Sequence, residues 1–334
     1  MVIIAHYSLR IMWKTGCISL FLLSVVLIAF QPQAKAQDPQ FTQFYANPLY
    51  LNPAFAGSRK CPRLNINYRN QWPNIAGQFI TTSASYDQHV NGINGGLGAL
   101  VYQDNAGNGT LSTTYASLMY SYTLPVSREF SLKFGMEAAY MEKSVDWDEL
   151  TFGDMIDPRY GFVYETQETP GSPKINNADF SAGVIGYSKT YFFGAAVHHL
   201  TEPEESFFDD PQAKLYRKYT VHAGANYVFN KRAPEEGGIS PNILYMRQGE
   251  AQQLNLGVYL KKGPFVGGMW YRVQDAFIVL VGLQNDYFKF GYSYDLTTSQ
   301  LTNEPGGSHE ISLALLFRCK PARKVFRPLV CPEF

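Results

Sequence analysis

Apolar and polar residues alternate one by one over most of the chain. Between Arg63 and Gln71, Leu64, Ile66 and Tyr68 fall on one side and Asn65, Asn67 and Arg69 on the other. A period of two is that of a β-strand, whose successive side chains point to opposite faces. The pattern recurs further on. Ala116, Leu118, Tyr120, Tyr122 and Leu124 oppose Ser117, Met119, Ser121 and Thr123. Phe130, Leu132, Phe134, Met136, Ala138 and Tyr140 oppose Ser131, Lys133, Gly135 and Glu137. A soluble sandwich rarely buries a Lys and a Glu on one strand face, whereas a polar lumen accepts both. Such runs predict strands at 63–71, 78–87, 96–103, 116–124, 130–140, 178–187, 191–199, 218–230, 239–247, 251–261, 265–272, 277–284, 287–294 and 309–317. That makes about 14, an even number, as in bacterial outer-membrane barrels.

The connections support the same architecture. With the first strand starting in the periplasm, the long connections 142–177, 200–217 and 295–308 follow odd-numbered strands. The tight turns 125–129, 188–190, 262–264 and 285–286 follow even-numbered ones. Long external loops and short periplasmic turns are the asymmetry of an outer-membrane barrel. The connection 231–238 is long for a periplasmic turn, and the short external turns 248–249 and 273–275 predict uneven height. The fold class expected is therefore all-β: a transmembrane antiparallel β-barrel with an N-terminal periplasmic or luminal segment. Tyr68, Trp72, Tyr86, Trp147, Trp270, Tyr271 and Tyr294 stand near strand ends, where aromatic girdles meet the lipid interface. Gly98, Gly183, Gly194, Gly257, Gly268 and Gly291 lie within strands and predict bends or close approach.

Composition sharpens this picture. Charged residues make up only 17%, against roughly 25% in soluble proteins. Aromatics reach 15% while mean hydropathy is −0.19, so the chain alternates rather than being apolar throughout. Arg10 and Lys14, the apolar run 18–30 and Ala34-Lys35-Ala36 read as a secretory signal cleaved after Ala36. The run is too short for a transmembrane helix, which needs about 20 residues. Removing residues 1–36 takes away Arg10, Lys14 and Lys35 and no acid, so the formal net charge falls from 0 to −3. No basic patch points to nucleic acid. The expected divisions are 1–36 signal peptide, 37–62 N-terminal arm or plug, 63–317 barrel and 318–334 tail. In 37–62 the pairs Asn47-Pro48 and Asn52-Pro53 break any strand. Its aromatics (Phe41, Phe44, Tyr45, Tyr50, Phe55) favour packing in the lumen over a free periplasmic arm.

Several blocks resemble the PorP/SprF family of type IX secretion system membrane proteins. They are Asn47-Pro48, Asn52-Pro53 and Gly57; Tyr68, Arg69, Gln71 and Trp72; Trp270, Tyr271 and Arg272; Gly291, Tyr292, Tyr294 and Asp295; and His309-Glu310. The resemblance runs from about Gln37 to Phe317. It implies an outer-membrane component, embedded in lipid and working with other type IX components. It also implies recognition of a secreted cargo protein through a C-terminal targeting domain of the type B class. The tail from Cys319 departs from a barrel that ends on its last strand. It leaves Phe317 and Phe334 as rival terminal aromatics.

Three cysteines remain after cleavage. Cys61 precedes the first strand and Cys319 follows the last, so barrel closure makes a Cys61–Cys319 disulfide across the seam one expectation. Cys319–Cys331 and reduced thiols are the alternatives. His198-His199 with Glu202, Glu204, Glu205, Asp209 and Asp210 is the best candidate for a metal or catalytic cluster. Adjacent histidines on a strand point oppositely, however, and acids in an external loop read as a solvated run. No catalytic group, metal or cofactor is expected. Acids interleaved with apolar residues in 142–177 predict an ordered loop. Cargo contact is expected at Trp147, Phe152, Asp154, Tyr160, Phe207 and Phe208. The alternative function is a passive channel for hydrophobic or small solutes.

Overall fold

The computed structural model describes residues 37–75, 77–208, 213–230, 232–233, 236–298 and 306–319. Within them the chain forms a closed barrel of fourteen antiparallel strands. They are β1 Arg63–Gln71, β2 Phe79–Val90, β3 Gly95–Ala106, β4 Leu111–Pro125, β5 Phe130–Val145, β6 Lys174–Ser188 and β7 Tyr191–His198. Then come β8 Lys218–Ala225, β9 Gly237–Gln248, β10 Ala251–Lys262, β11 Phe265–Arg272, β12 Ala276–Gln284, β13 Phe288–Thr297 and β14 Ser308–Leu316. The unbroken strand expected at 218–230 is interrupted at Asn226, whose N–H turns to the Thr190 carbonyl at 2.7 Å; Tyr227–Val228 then pairs with Ile239 and Gly238. Each strand pairs with its neighbours in sequence, and β1 closes on β14 from Arg63↔Leu316 to Gln71↔Ser308. Closure leaves no unpaired edge, the condition for a sheet in hydrocarbon. Cys61 and Cys319 are joined by a disulfide beside this seam, with Cα atoms 5.3 Å apart. Cys331 lies outside the described residues.

Burial is inverted relative to a soluble protein. On β1 the polar Arg63, Asn65, Asn67 and Arg69 are buried while Ile66 and Tyr68 are exposed. On β5 Ser131, Lys133 and Glu137 are buried and Met136 is 69% exposed; on β4 Leu118 is 71% exposed. Such a surface in water would be a large aggregation-prone patch, whereas in lipid it is the favourable solvent contact. No described helix is long and apolar enough to cross a membrane. Tyr68, Tyr86 and Tyr271 do face outward. Trp270 does not: it is 1% exposed and packs inward against Phe44 and Tyr259. Its place on the inward phase of β11 outweighs the interfacial preference of its ring.

The wall is uneven. β4, β5 and β6 have 15, 16 and 15 residues, while β11, β12 and β14 have 8, 9 and 9. About 9–11 tilted residues suffice to cross, so β4–β6 overhang the membrane at their external ends. Polar pairs in the overhang, such as Ser112↔Ser144 and Glu142↔Asn176, hide it from a search for alternation, yet the ladder continues through them.

The lumen is filled by residues 37–61, a strap that descends from the external mouth to the periplasmic end. Phe41, Phe44, Tyr45, Leu49, Leu51 and Phe55 are all buried. The Asn-Pro pairs start helical turns here. Pro48 opens the four-residue α1 Pro48–Leu51, and Pro53 opens a 3-10 turn whose preceding Asn52 accepts the Ala54 N–H at 2.9 Å. Proline at the first helical position lacks only an N–H that would have no partner, and Asn caps the turn.

Candidate functional site

Residues scattered over the sequence converge on the strap. At the mouth, Asp38 Oδ2 accepts from Lys218 Nζ at 3.1 Å and lies 2.9 Å from His199 Nε2, while Oδ1 accepts from Gln248 Nε2 at 3.1 Å. The Asp38 N–H donates to Gln248 Oε1 at 3.0 Å. Below it, Glu310 Oε2 accepts the Thr42 N–H at 2.6 Å and hydroxyl at 2.8 Å, and Oε1 accepts the Gln43 N–H at 3.1 Å. Arg69 links Glu310 (3.4 Å) to Asp295 (3.0 Å), and Arg272 lies 3.7 Å from the same Asp295 oxygen. These charges are nearly fully buried, so each depends on its partners to offset desolvation.

Lower down, Asn47 donates to Ser83 Oγ at 3.0 Å, and Asn52 donates to the Ala195 carbonyl at 3.1 Å. The Gly57 N–H donates to Asp87 Oδ2 at 2.9 Å, and Asp87 is paired with Arg63 at 2.9 Å. The strap passes so close to the wall that a Cβ on Gly135 would lie 2.2 Å from Ala54 N, and one on Gly96 2.5 Å from Gly57 Cα. The family-motif residues Asn47, Pro48, Asn52, Pro53, Gly57, Arg69, Trp270, Arg272, Gly291, Asp295 and Glu310 thus make or line the strap's seat. Gln71 stands above it, accepting from Arg69. Tyr292 and His309 face outward and share a 2.8 Å hydrogen bond, with Tyr294 packed on the same imidazole. Trp72, at φ 57°, packs its ring edgewise on Phe79 beyond the end of β1.

The histidine reading changes. His199 has φ 57°, a left-handed backbone that swings its ring to the same side as His198, and both are buried. His199 Nδ1 lies 2.7 Å from Asp179 Oδ2. Burial pushes the imidazole pKa down, but the Asp38 charge and the bonds to both carboxylates outweigh it and hold it at about 10. Burial pushes Asp38 up, and the His199 and Lys218 charges overcome this to hold it well below the ordinary carboxylate range. The acids of the following loop do not join them. Glu205 pairs with Lys143 at 2.9 Å and Glu202 with Arg217 at 3.5 Å, while Asp209 and Asp210 lie outside the described residues. Glu205 is buried in its pair rather than solvated, because the β5 overhang brings Lys143 to it.

The external loops above β5–β8 are packed on one another. Trp147 meets Phe208 edgewise at 5.3 Å and Phe207 at 6.2 Å, and the Ser172 N–H donates to the Phe207 carbonyl at 2.9 Å. A small hairpin pairs Ile156–Asp157 with Gly161–Phe162. Asp157 accepts the N–H groups of Arg159 and Tyr160 and the Tyr164 hydroxyl, and the backbone bond from Arg159 leads in lowering its pKa. Asp154 accepts from Gln167 N and the Thr166 hydroxyl, and the Phe152 N–H at the start of the turn donates to Met155 Sδ at 3.3 Å. Tyr160, Phe162 and Phe208 are 71%, 62% and 64% exposed. Residues 146–173 carry seven acids and one base, Arg159. Of the six cargo-contact candidates, Trp147, Phe207 and Phe208 come together, Tyr160 stands at the hairpin tip, Phe152 is half-buried in the loop, and the exposed Asp154 ties it to Thr166 and Gln167. Of the mouth cluster only His199 carried a sequence signal, in the His198-His199 pair; the partners lie 161, 180 and 210 positions from Asp38.

Residues 33–315 match the family described as Type IX secretion system membrane protein PorP/SprF. No curated protein matches the sequence significantly. Among solved structures, the chain is similar to the Ralstonia pickettii toluene transporter TbuX. Identity is 10% and the TM-score 0.49, with 81% of this chain and 93% of that one covered. It is also similar to the Pseudomonas putida toluene transporter TodX (8% identity, TM-score 0.46, 80% and 93% covered). A Pseudomonas aeruginosa FadL homologue matches at 12% identity and TM-score 0.43, covering 80% and 92%. Likenesses this distant say nothing about what this chain binds.

Proposed function

The chain belongs to the PorP/SprF family of type IX secretion membrane proteins, and from that premise we propose that it captures a specific secreted protein at the outer membrane. The partner is a cargo protein carrying a type B C-terminal targeting domain, gripped by the external loops above β5–β8. One observation carries this reading. The lumen is occupied by the chain's own strap, bonded to buried charges, while large aromatic side chains stand unburied on the outer loops. Clustered exposed aromatics are the usual anchors of a protein interface. A lumen filled in this way opposes the alternative of a passive solute channel. The periplasmic turns meet the remaining secretion components, and the chain reaches the membrane after signal cleavage at Ala36. Catalysis has no part in this reading.

Affinity purification of the tagged protein from its own outer membrane, with mass spectrometry of what co-purifies, tests it. A large secreted protein with a C-terminal targeting domain should be recovered, and its yield should drop in the Tyr160→Ser/Phe208→Ser variant. A barrel recovered alone, with steady conductance in planar bilayers, would replace capture with the channel reading.

A further inference from the structure

The site around Asp38 has features that a mere tether does not need. Two of its three donors, His199 and Gln248, are also held by groups outside the strap. His199 is oriented by Asp179 at 2.7 Å, Gln248 Nε2 is also held by the Tyr216 carbonyl at 3.2 Å, and Lys218 Nζ sits 4.6 Å over the Tyr50 ring. His199 and Lys218 converge on the Asp38 carboxylate in a buried place, and Asp179 pairs with His199 alone, so removing the Asp38 charge would leave the buried Lys218 ammonium without its carboxylate. Gln248 reads both halves of the occupant, donating to the carboxylate and accepting the backbone N–H. That pattern recognises a carboxylate on a peptide, rather than any anion.

The position also matters. His199, Lys218 and Gln248 stand at the external ends of β7, β8 and β9, where the lumen opens to the outside. The strap is partly exposed over residues 37–40 and mostly buried from Phe41 to Gly57. Lifting those four residues uncovers the site without disturbing the Glu310 network below. A water-sized cavity bordered by Tyr50, Tyr102 and Tyr115 adjoins Asp38.

We propose that His199, Lys218 and Gln248 form a peptide-carboxylate receptor at the external mouth, which Asp38 occupies in cis and an extended peptide bearing a carboxylate occupies in trans. The strap's end is then an internal competitor that sets the threshold for binding. The carboxylate comes from an aspartate side chain or from a chain terminus. This site is independent of which protein the outer loops hold.

The test uses the full-length protein in detergent micelles with its Cys61–Cys319 bond intact and fluorescence anisotropy of labelled peptides. Asp38→Asn keeps the shape of the occupant and removes its charge. Asp38→Asn protein should bind an amidated peptide of sequence QDPQFTQF at least about tenfold more tightly than wild type does. It should also prefer that peptide by about tenfold over the version with Asn for Asp. Adding Lys218→Met should abolish the preference. If that variant does not fold, as judged by heat-dependent gel mobility, Gln248→Glu keeps the size and repels the carboxylate instead. A second pair of peptides, lacking Asp and ending in a free or an amidated terminus, separates the two carboxylate sources. Equal binding of acidic and neutral peptides by Asp38→Asn protein would overturn the proposal, as would a preference that survives both Lys218→Met and Gln248→Glu. Cargo capture without carboxylate-dependent peptide binding would leave the loop reading intact and remove this site alone.

Discussion

The two sides of the barrel are used for different work. The low wall, β11–β14 with β1, ends near the membrane and turns its chemistry inward, where Arg69, Arg272, Asp295 and Glu310 hold the upper strap. Among the described residues the tall wall, β4–β6, carries no such ion network to the strap. It meets the strap through close glycine contacts and through Ser121 and Lys133, which donate to the Ala56 carbonyl, and its overhang carries the aromatic loops. The difference teaches that closing the lumen and meeting a partner are separable tasks. Changes on the low wall should alter the seal and leave capture alone, and changes on the tall-wall loops should do the reverse.

The strongest break of the comparison is Glu310→Ala. It removes three bonds to the strap and leaves the buried Arg69 short of a partner. Truncating one member of a buried ion network costs about 3–5 kcal/mol. Urea unfolding in micelles should show a loss of that order, and planar bilayers should show new conductance. Next comes Gly135→Val on the tall wall's inner face. Its Cβ would meet the strap backbone at 2.2 Å, and overpacking of this kind costs about 1–3 kcal/mol. The strap should loosen, seen as faster hydrogen exchange at residues 53–57, while cargo recovery stays at the wild-type level. Tyr160→Ser/Phe208→Ser should leave the unfolding midpoint unchanged. Both side chains are more than half exposed, and loss of an interface anchor lowers cargo recovery by about tenfold or more.

The smallest expected effect is of pH on the mouth. Asp38 faces His199, Lys218 and Tyr50, and His199 also faces Asp179 and neighbours His198. His199 is raised from 6.5 to about 10, so its contribution is complete below 6.5 and lost as pH rises through about 10. Asp38 is depressed, so its contribution is present above 3.8 and lost as pH falls through its lowered value. Hydrogen exchange at residues 38–40, corrected for intrinsic rates, should be slow across the neutral range and rise near pH 10. A rise already at pH 7 would contradict the pairing with Asp38 and Asp179.

Much of the barrel was legible because its cause is local. Alternation fixes which face of each strand meets lipid, and loop length fixes which end is outside, so the number and order of strands follow. The overhangs of β4–β6 were not legible: where both faces meet water, as at Ser112 and Glu142, nothing forces alternation. The break at Asn226 and the inward turn of His199 depend on single backbone residues that a periodic pattern passes over. Trp270 was assigned to the lipid interface because its ring type suits that place, while its strand phase put it in the lumen. The strap's seat was half legible. The blocks Arg69, Arg272, Asp295 and Glu310 stood out as family residues, but the network through which Arg69 and Glu310 reach Thr42 and Gln43 arises only on closure of the barrel. Asp38, Lys218 and Gln248 lie on separate elements and carry no local mark, and His199 stood out only as half of a histidine pair.

The account stands most directly on where the protein meets its partner. A photo-crosslinking residue placed at Tyr160 or Phe208, in cells with the type IX machinery intact, reads this in one experiment, with the periplasmic Tyr287 as the comparison site. The account predicts a crosslink from the two external positions to one large secreted protein, and none to that protein from Tyr287. Crosslinks from Tyr287 alone, or from no position, would contradict capture by the external loops.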